Sequence, residues 1–126
     1  MNVLLIEDHE TDRKLLSAVL HASGNRVVER ASAEEAFVAI EKEPPDVILI
    51  DLRLPGMDGL EFTRRLRAGT ETRDMRVVAV TAAPDRYSRA DALRAGCDAY
   101  IVKPVDTRTF SDQVTKSVGA LRRPAQ

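Results

Sequence analysis

The sequence predicts an α/β fold in which a doubly wound, five-stranded parallel sheet carries helices on both faces. Five short apolar runs alternate with five stretches of helical periodicity, and the connections between them are short. Alternation of this kind is typical of parallel strands joined by right-handed crossovers. The second run is the weakest and lies among charged residues, as suits an edge strand. This favours the strand order 2-1-3-4-5, with a switch point between strands one and three.

The predicted strands are the apolar runs themselves. They cover residues 3–6, 27–28, 47–50, 77–80 and 99–102. The third run consists of Val47, Ile48, Leu49 and Ile50, and four such residues in succession indicate a strand that is covered on both faces. We therefore expect this strand at the centre of the sheet.

End signals define the first three helices. The first has an apolar stripe from Leu15 to Leu20, and Gly24 is its expected C-terminal cap. The second opens with a capping box of Ser32 and Glu35, and the proline pair at 44–45 stops it. The third begins near Gly59.

Two more helices complete the predicted domain. The fourth runs from about residue 84 to 95 and ends at Gly96. The fifth has an apolar stripe with helical spacing formed by Phe110, Val114, Val118 and Leu121. We expect one domain over residues 1–126, with a core at 2–121 and a short tail at 122–126.

Composition narrows the possible functions. There are 19 basic and 20 acidic residues, so no basic excess favours nucleic-acid binding. The apolar runs are too short to span a membrane, and the first residues do not resemble a signal peptide. The single cysteine, Cys97, cannot form an internal disulfide, and we expect it to pack in the core of a cytoplasmic protein.

Carboxylates end two strands that are neighbours in the predicted order. The first strand runs into Glu7 and Asp8, and the third ends at Asp51. Like charges that converge in this way repel one another unless a cation lies between them. An oxygen-only ligand set, without histidine or thiol clusters, indicates Mg²⁺ before Ca²⁺. Taken alone, Glu7 and Asp8 fit the solvated, acidic start of a helix better than they fit a metal site.

Two further polar residues strengthen the functional interpretation. Thr81 ends the fourth strand and Lys103 follows the fifth, so a hydroxyl and an ammonium join the carboxylates at one sheet edge. Either residue alone is commonplace, as a helix cap or a surface lysine. Polar groups at four of the five strand ends together favour a site for phosphoryl chemistry.

At this point the chain resembles the receiver domains of response regulators, the CheY-like family, from Val3 to about Leu121. Four short motifs in order carry the resemblance: Leu5-Ile6-Glu7-Asp8, Asp51 followed by Pro55 and Gly59, Val80-Thr81-Ala82, and Tyr100-Ile101-Val102-Lys103-Pro104.

The resemblance implies a role for each site residue. Asp51 would accept a phosphoryl group, and Mg²⁺ would be held by Asp8, by Glu7 through water, by Asp51 and by the backbone carbonyl of Arg53. Thr81 and Lys103 would bind phosphoryl oxygens, with Thr81 and Tyr100 as the switch pair. The implied donor is a histidine kinase or a histidine phosphotransfer protein. A downstream protein would bind the face of the fourth helix, fifth strand and fifth helix, so the chain would be a signalling switch rather than an enzyme.

Other interpretations stay open at this stage. The chain is expected to be either a complete regulator or a receiver excised from a longer regulator or hybrid kinase. An aspartyl-nucleophile phosphatase would need a second acid two residues after Asp51, where Arg53 stands. A flavodoxin-like or dinucleotide-binding module would need a glycine- or hydroxyl-rich loop after strand one, where the acids begin. A receiver that never gains phosphate is the remaining alternative, weakened because each site residue is present.

Overall fold

A computed structural model describes the backbone of residues 1–121 and the side chains of residues 1–118. Five strands form one parallel sheet in the order β2-β1-β3-β4-β5, which confirms the predicted fold class and topology. The strands are β1 (Asn2–Ile6), β2 (Arg26–Arg30), β3 (Val47–Asp51), β4 (Arg76–Thr81) and β5 (Ala99–Val102). The predicted tail at 122–126 and the side chain of Leu121 lie outside the described residues.

Five helices alternate with the strands. They are α1 (Glu10–Ala22), α2 (Ala33–Lys42), α3 (Gly59–Ala68), α4 (Arg89–Ala95) and α5 (Phe110–Leu121). The Ser32 hydroxyl caps α2 as predicted, since it accepts a hydrogen bond from the backbone N–H of Glu35. The Asp58 carboxylate caps α3 in the same way by accepting the backbone N–H of Glu61. Gly24 follows α1 with a φ of +90°, the left-handed conformation that ends helices.

The start of α4 differs from the prediction. The helix begins at Arg89 rather than near residue 84, because the Ser88 hydroxyl accepts the backbone N–H of Asp91 and so sets the first turn. The preceding residues form a separate turn, in which the N–H groups of Arg86 and Tyr87 both donate to the carbonyl of Ala83. The turn and the helix therefore meet at Ser88, and the sequence pattern did not separate these two elements.

The sheet divides the apolar side chains into two clusters, since successive residues of a strand point to opposite faces. Helices α2 to α4 cover one face, where Ile48, Ile50 and Phe62 are fully buried. Helices α1 and α5 cover the other, where Leu49 and Phe110 are fully buried. β3 is therefore covered on both faces, as predicted. Cys97 is buried in the first cluster, as expected for a packing residue: Sγ is 3.6 Å from the Thr63 hydroxyl.

Arg67 joins several chain segments at the edge of the sheet opposite the carboxyl strand ends. Its guanidinium donates to the carbonyls of Gly96, Arg73 and Met75 and to the carboxylate of Asp98. The same Asp98 carboxylate accepts the backbone N–H of Val77 at the start of β4. Asp98 and Arg67 are therefore part of one framework that holds α3, α4, β4 and β5 together.

Strand register brings the carboxyl ends of four strands to one edge. Ile6 of β1 pairs with Ile50 of β3, and Asp51 pairs with Val80 of β4. Thr81 of β4 pairs in turn with Val102 of β5. The residues that follow these ends thus share one cleft. Among residues 1–121, no helix is both long enough and apolar enough to span a membrane.

Candidate functional site

Three carboxylates meet in the cleft above β1 and β3. Glu7 and Asp8 follow the end of β1, Asp51 ends β3, and each contributes an oxygen lying within 4.8 Å of the other two. Glu7 and Asp51 are buried, whereas Asp8 is exposed. The structure thus brings together the three acids that the sequence predicted at the switch point.

The ammonium group of Lys103 bonds to three carboxylates. Nζ lies 2.5 Å from Glu7 Oε1, 3.1 Å from Asp51 Oδ2 and 3.1 Å from Asp12 Oδ2. Burial alone would lower the pKa of Lys103. The hydrogen bond that Lys103 donates to Glu7 and the charge of Asp51 outweigh the effect of burial, however, and raise the pKa of Lys103. Lys103 is therefore a fixed positive charge among the acids.

Glu7 is the most perturbed acid of the cleft. Its side chain is only 2% exposed, and burial raises its pKa from 4.5 to about 7. The hydrogen bond from Lys103 opposes this rise, and the nearby charge of Asp51 adds to it. Glu7 is thus poised to change its protonation state near neutral pH.

Asp51 is oriented from both sides. Oδ1 accepts the backbone N–H of Arg53 at 2.9 Å, and Oδ2 contacts Lys103. The Asp51 side chain is 10% exposed and borders the cleft, so one edge of its carboxylate is open to a reactant. Arg53 lies at the cleft rim with its side chain in solvent.

The loop after β3 is fixed by glycines and by an acid from α2. A Cβ at Gly59 would lie 2.7 Å from the Leu52 Cα, so only glycine allows this close approach. Gly56 has a φ of +72°, and the next N–H, that of Met57, donates to Glu34 Oε2 at 3.2 Å. Glu34 therefore ties the first turn of α2 to the loop that carries Arg53.

Thr81 and Tyr100 are both inside the protein. Thr81 is fully buried, and its hydroxyl oxygen accepts the N–H of Ala83 at 3.0 Å. Tyr100 is 8% exposed, its hydroxyl donates to the carbonyl of Tyr87 at 2.5 Å, and the Arg89 guanidinium lies 5.2 Å from its ring centroid. Tyr100, which the resemblance assigns to the switch pair, therefore points into the protein in this structure.

Comparison with known proteins identifies the family. The sequence profile of the response regulator receiver domain matches residues 3–115. The chain belongs to this family. Receiver domains are signalling modules of two-component systems, and in general they act as switches rather than as enzymes. The resemblance inferred from the motifs is thus confirmed.

Individual relatives share the length and fold of this receiver domain. The polar-differentiation response regulator DivK of Brucella ovis is 34% identical over 118 residues, which are 94% of this chain and 96% of DivK. A putative response regulator from Chloroflexus aurantiacus superposes with a TM-score of 0.88 at 30% identity, covering 94% of this chain and 97% of that one.

One solved relative contains a metal. The receiver domain of the sensor histidine kinase PA1611 from Pseudomonas aeruginosa superposes with a TM-score of 0.85 at 31% identity, over 94% of this chain and 97% of that one. Its structure has a magnesium ion coordinated in the active-site cleft. That relative is therefore a metal-bound structure of the same fold.

The acid cluster of this receiver domain fits such an ion. The donor set is purely oxygen, which is what Mg²⁺ prefers. The oxygens of Glu7, Asp8 and Asp51 all lie within 4.8 Å of one another, so one cation could contact all three after a modest movement of the side chains. Asp8 is exposed and accessible to a hydrated ion.

Sequence reasoning missed three residues around the site. Asp12 on α1 contacts Lys103, and Arg13 donates through Nη1 to the carbonyl of Glu7 at 2.9 Å. Glu34 on α2 holds the loop after β3. Asp12 had one sequence signal, an acid one helical turn after Asp8, whereas nothing in the sequence linked Glu34 to the loop.

Proposed function

We propose that this receiver domain is a phosphorylation-dependent switch in which Asp51 accepts a phosphoryl group from a phosphohistidine. The donor is a histidine kinase or a histidine phosphotransfer protein. One observation carries the proposal: the Asp51 carboxylate borders an open cleft and lies 3.1 Å from the Lys103 ammonium, with two further acids beside it. An oriented carboxylate with a fixed cation is the arrangement that phosphoryl transfer to an aspartate needs.

The reaction is a displacement at phosphorus. An oxygen of Asp51 attacks, the phosphorus–nitrogen bond of the donor breaks, and the imidazole departs with the bonding electron pair and takes up a proton. Lys103 and the Thr81 hydroxyl stabilise the charge on the transferred oxygens. Water later attacks the aspartyl phosphate and releases inorganic phosphate, which returns Asp51 to its original state.

A divalent ion belongs to this proposal. Glu7, Asp8, Asp51 and the backbone carbonyl of Arg53 would hold Mg²⁺ in this site. Bound Mg²⁺ would neutralise negative charge on the phosphoryl oxygens. The acid cluster supports this assignment, and so does the magnesium ion described for the PA1611 receiver domain.

The output of the switch is proposed to be protein binding on the face formed by α4, β5 and α5. Leu93 of α4 and Val102 of β5 are large apolar residues, 48% and 44% exposed, on this face. Tyr100 lies between the face and the cleft, and Thr81 is the residue through which phosphate on Asp51 would act on it. Phosphate on Asp51 shifts the population of two conformations of this face only by as much as it binds one conformation more strongly than the other.

Small-molecule phosphorylation tests the proposal. Wild-type protein incubated with Mg²⁺ and acetyl phosphate should gain one phosphoryl group by intact mass, and Asp51→Asn should gain none. Asp58→Asn is a matched control, because it makes the same substitution in the adjoining loop and asparagine also caps helices well. Equal labelling of Asp51→Asn and wild type would remove Asp51 from this role.

A further inference from the structure

All three N–H donors of the Lys103 ammonium are hydrogen-bonded in this structure. An ammonium group has three N–H donors, and here each is directed to a different carboxylate, those of Glu7, Asp12 and Asp51. A phosphoryl oxygen that binds Lys103 must therefore replace one of these acceptors. Which acceptor gives way determines how strongly the site holds the phosphoryl group.

The three acceptors differ in how firmly they are held. Glu7 is 2% exposed in its side chain, and its second oxygen accepts the N–H of His9. Asp51 is 10% exposed and accepts the N–H of Arg53. Both would lose an ammonium partner inside the protein, which is costly for a buried carboxylate.

Asp12 is the acceptor that is released most easily. Its side chain is 40% exposed, and it comes from the first turn of α1 rather than from a strand end. The other side chain near its carboxylate is the exposed imidazole of His9, whose Nδ1 is 3.6 Å away. Water can therefore solvate the Asp12 carboxylate once Lys103 moves to another acceptor.

We propose that Asp12 is a positioning residue that competes with the phosphoryl group for Lys103. The inference rests on the proposed phosphorylation of Asp51. Asp12 holds the ammonium on the α1 side of the cleft, and its negative charge lies next to the place that phosphoryl oxygens would occupy. Both effects weaken binding of the phosphoryl group, so removing the Asp12 carboxylate should strengthen it.

The direction of this effect separates competition from a structural role. Replacing a residue that only maintains the shape of the cleft would weaken binding of the phosphoryl group. Replacing a residue that competes for Lys103 would strengthen that binding. The stabilisation from one partly exposed ion pair corresponds to a change in affinity of about two- to fivefold, and we expect an effect of this size.

The test is titration with beryllofluoride, a phosphoryl mimic, at saturating Mg²⁺ by calorimetry. Asp12→Asn and Asp12→Ala should bind the mimic about two- to fivefold more tightly than wild type. Asp12→Glu, which keeps the charge, should bind as wild type does. Glu10→Gln is the matched control, since it removes one acid from the same helical turn at a side chain that is 58% exposed and pairs with Lys14.

Each outcome decides a separate question. If wild type does not bind the mimic, the proposed function fails and the role of Asp12 fails with it. If wild type binds but both neutral Asp12 variants bind equally or more weakly, competition is refuted while the proposed function stands. An equal increase in the affinity of Glu10→Gln for beryllofluoride would refute competition for Lys103 and assign the effect to net charge. Thermal unfolding of each variant without metal establishes that it is folded.

Discussion

Replacing Glu7 by glutamine should remove most of the pH dependence of folding stability between pH 5 and 8 in metal-free buffer. The folded protein holds the proton of Glu7 up to about pH 7, whereas the unfolded chain releases it near pH 4.5. Between these values the folded state binds more protons, so the free energy of unfolding falls as pH rises. The contribution of Glu7 is fully present below pH 4.5 and is lost as the pH passes 7.

The size of the effect follows from the shift in pKa. Each pKa unit corresponds to about 1.4 kcal/mol, so the rise from 4.5 to about 7 sets an upper limit of about 3.5 kcal/mol. Because Glu7 shares Lys103 with two other acids, we expect about 2 kcal/mol between pH 5 and pH 8. Glutamine has the same shape and can still accept a hydrogen bond from Lys103, but it does not titrate.

Urea unfolding at pH 5, 6, 7 and 8 in excess chelator measures this dependence. The free energy of unfolding should fall with pH more steeply in wild type than in Glu7→Gln, and the difference between the two proteins cancels the other titrating groups. Added Mg²⁺ should stabilise wild type more at pH 8 than at pH 5, since the metal binds the ionised carboxylate. Parallel pH profiles for the two proteins would refute the perturbed pKa.

Three further predictions concern the metal, the framework and the switch. Asp8→Ala should abolish stabilisation by Mg²⁺. Without metal it should raise the free energy of unfolding by up to about 0.5 kcal/mol, because repulsion among the acids is relieved. A clear decrease of this free energy in chelator would instead give Asp8 a structural role. Arg67→Ala should lower the free energy of unfolding by about 3 kcal/mol in thermal or urea unfolding, since it removes the donor to several carbonyls and the ion-pair partner of Asp98. A change below about 1 kcal/mol would contradict the proposed framework. Thr81→Ala should still gain a phosphoryl group but lose most of the change in amide exchange over residues 82–105 that beryllofluoride causes in wild type; unchanged exchange in wild type despite binding would separate the chemistry from the output.

The sequence predicted the strand order and the acid cluster because both depend on strand topology. Once the apolar runs are placed in a parallel sheet, the positions of Asp51 and Thr81 at its carboxyl edge follow. The extent of β2 did not follow, because its outer residues are charged. Glu29 in this strand accepts the Ser17 hydroxyl of α1, so a polar residue serves in place of an apolar contact.

Residues on helices were harder to place. Asp12 and Glu34 reach the site or its loop only because α1 and α2 are rotated and seated in a particular way on the sheet. Periodicity identifies the buried face of a helix, but it does not determine which flanking side chain reaches a neighbouring loop. The predicted start of α4 was wrong for a related reason, because Pro84 suits the opening of a turn as well as the first position of a helix.

The Arg67 framework attaches the carboxyl end of α4 to α3, whereas the amino end contacts Tyr100 through the Arg89 guanidinium. The Arg67 guanidinium binds the carbonyl of Gly96 at the carboxyl end of the helix, and a Cβ at Gly96 would lie 2.7 Å from the Arg67 Cγ, so the contact is tight. The amino end at Ser88 is attached to the turn that leads back to Thr81. A rearrangement of that turn would therefore pivot α4 about Gly96 rather than slide it. A helix of 7 residues is about 10 Å long, so a tilt of about 10° displaces its amino end by roughly 2 Å and leaves its carboxyl end in place. A partner that binds the first turn of α4 would therefore have an affinity that depends on the state of the cleft far more than that of a partner that binds the last turn.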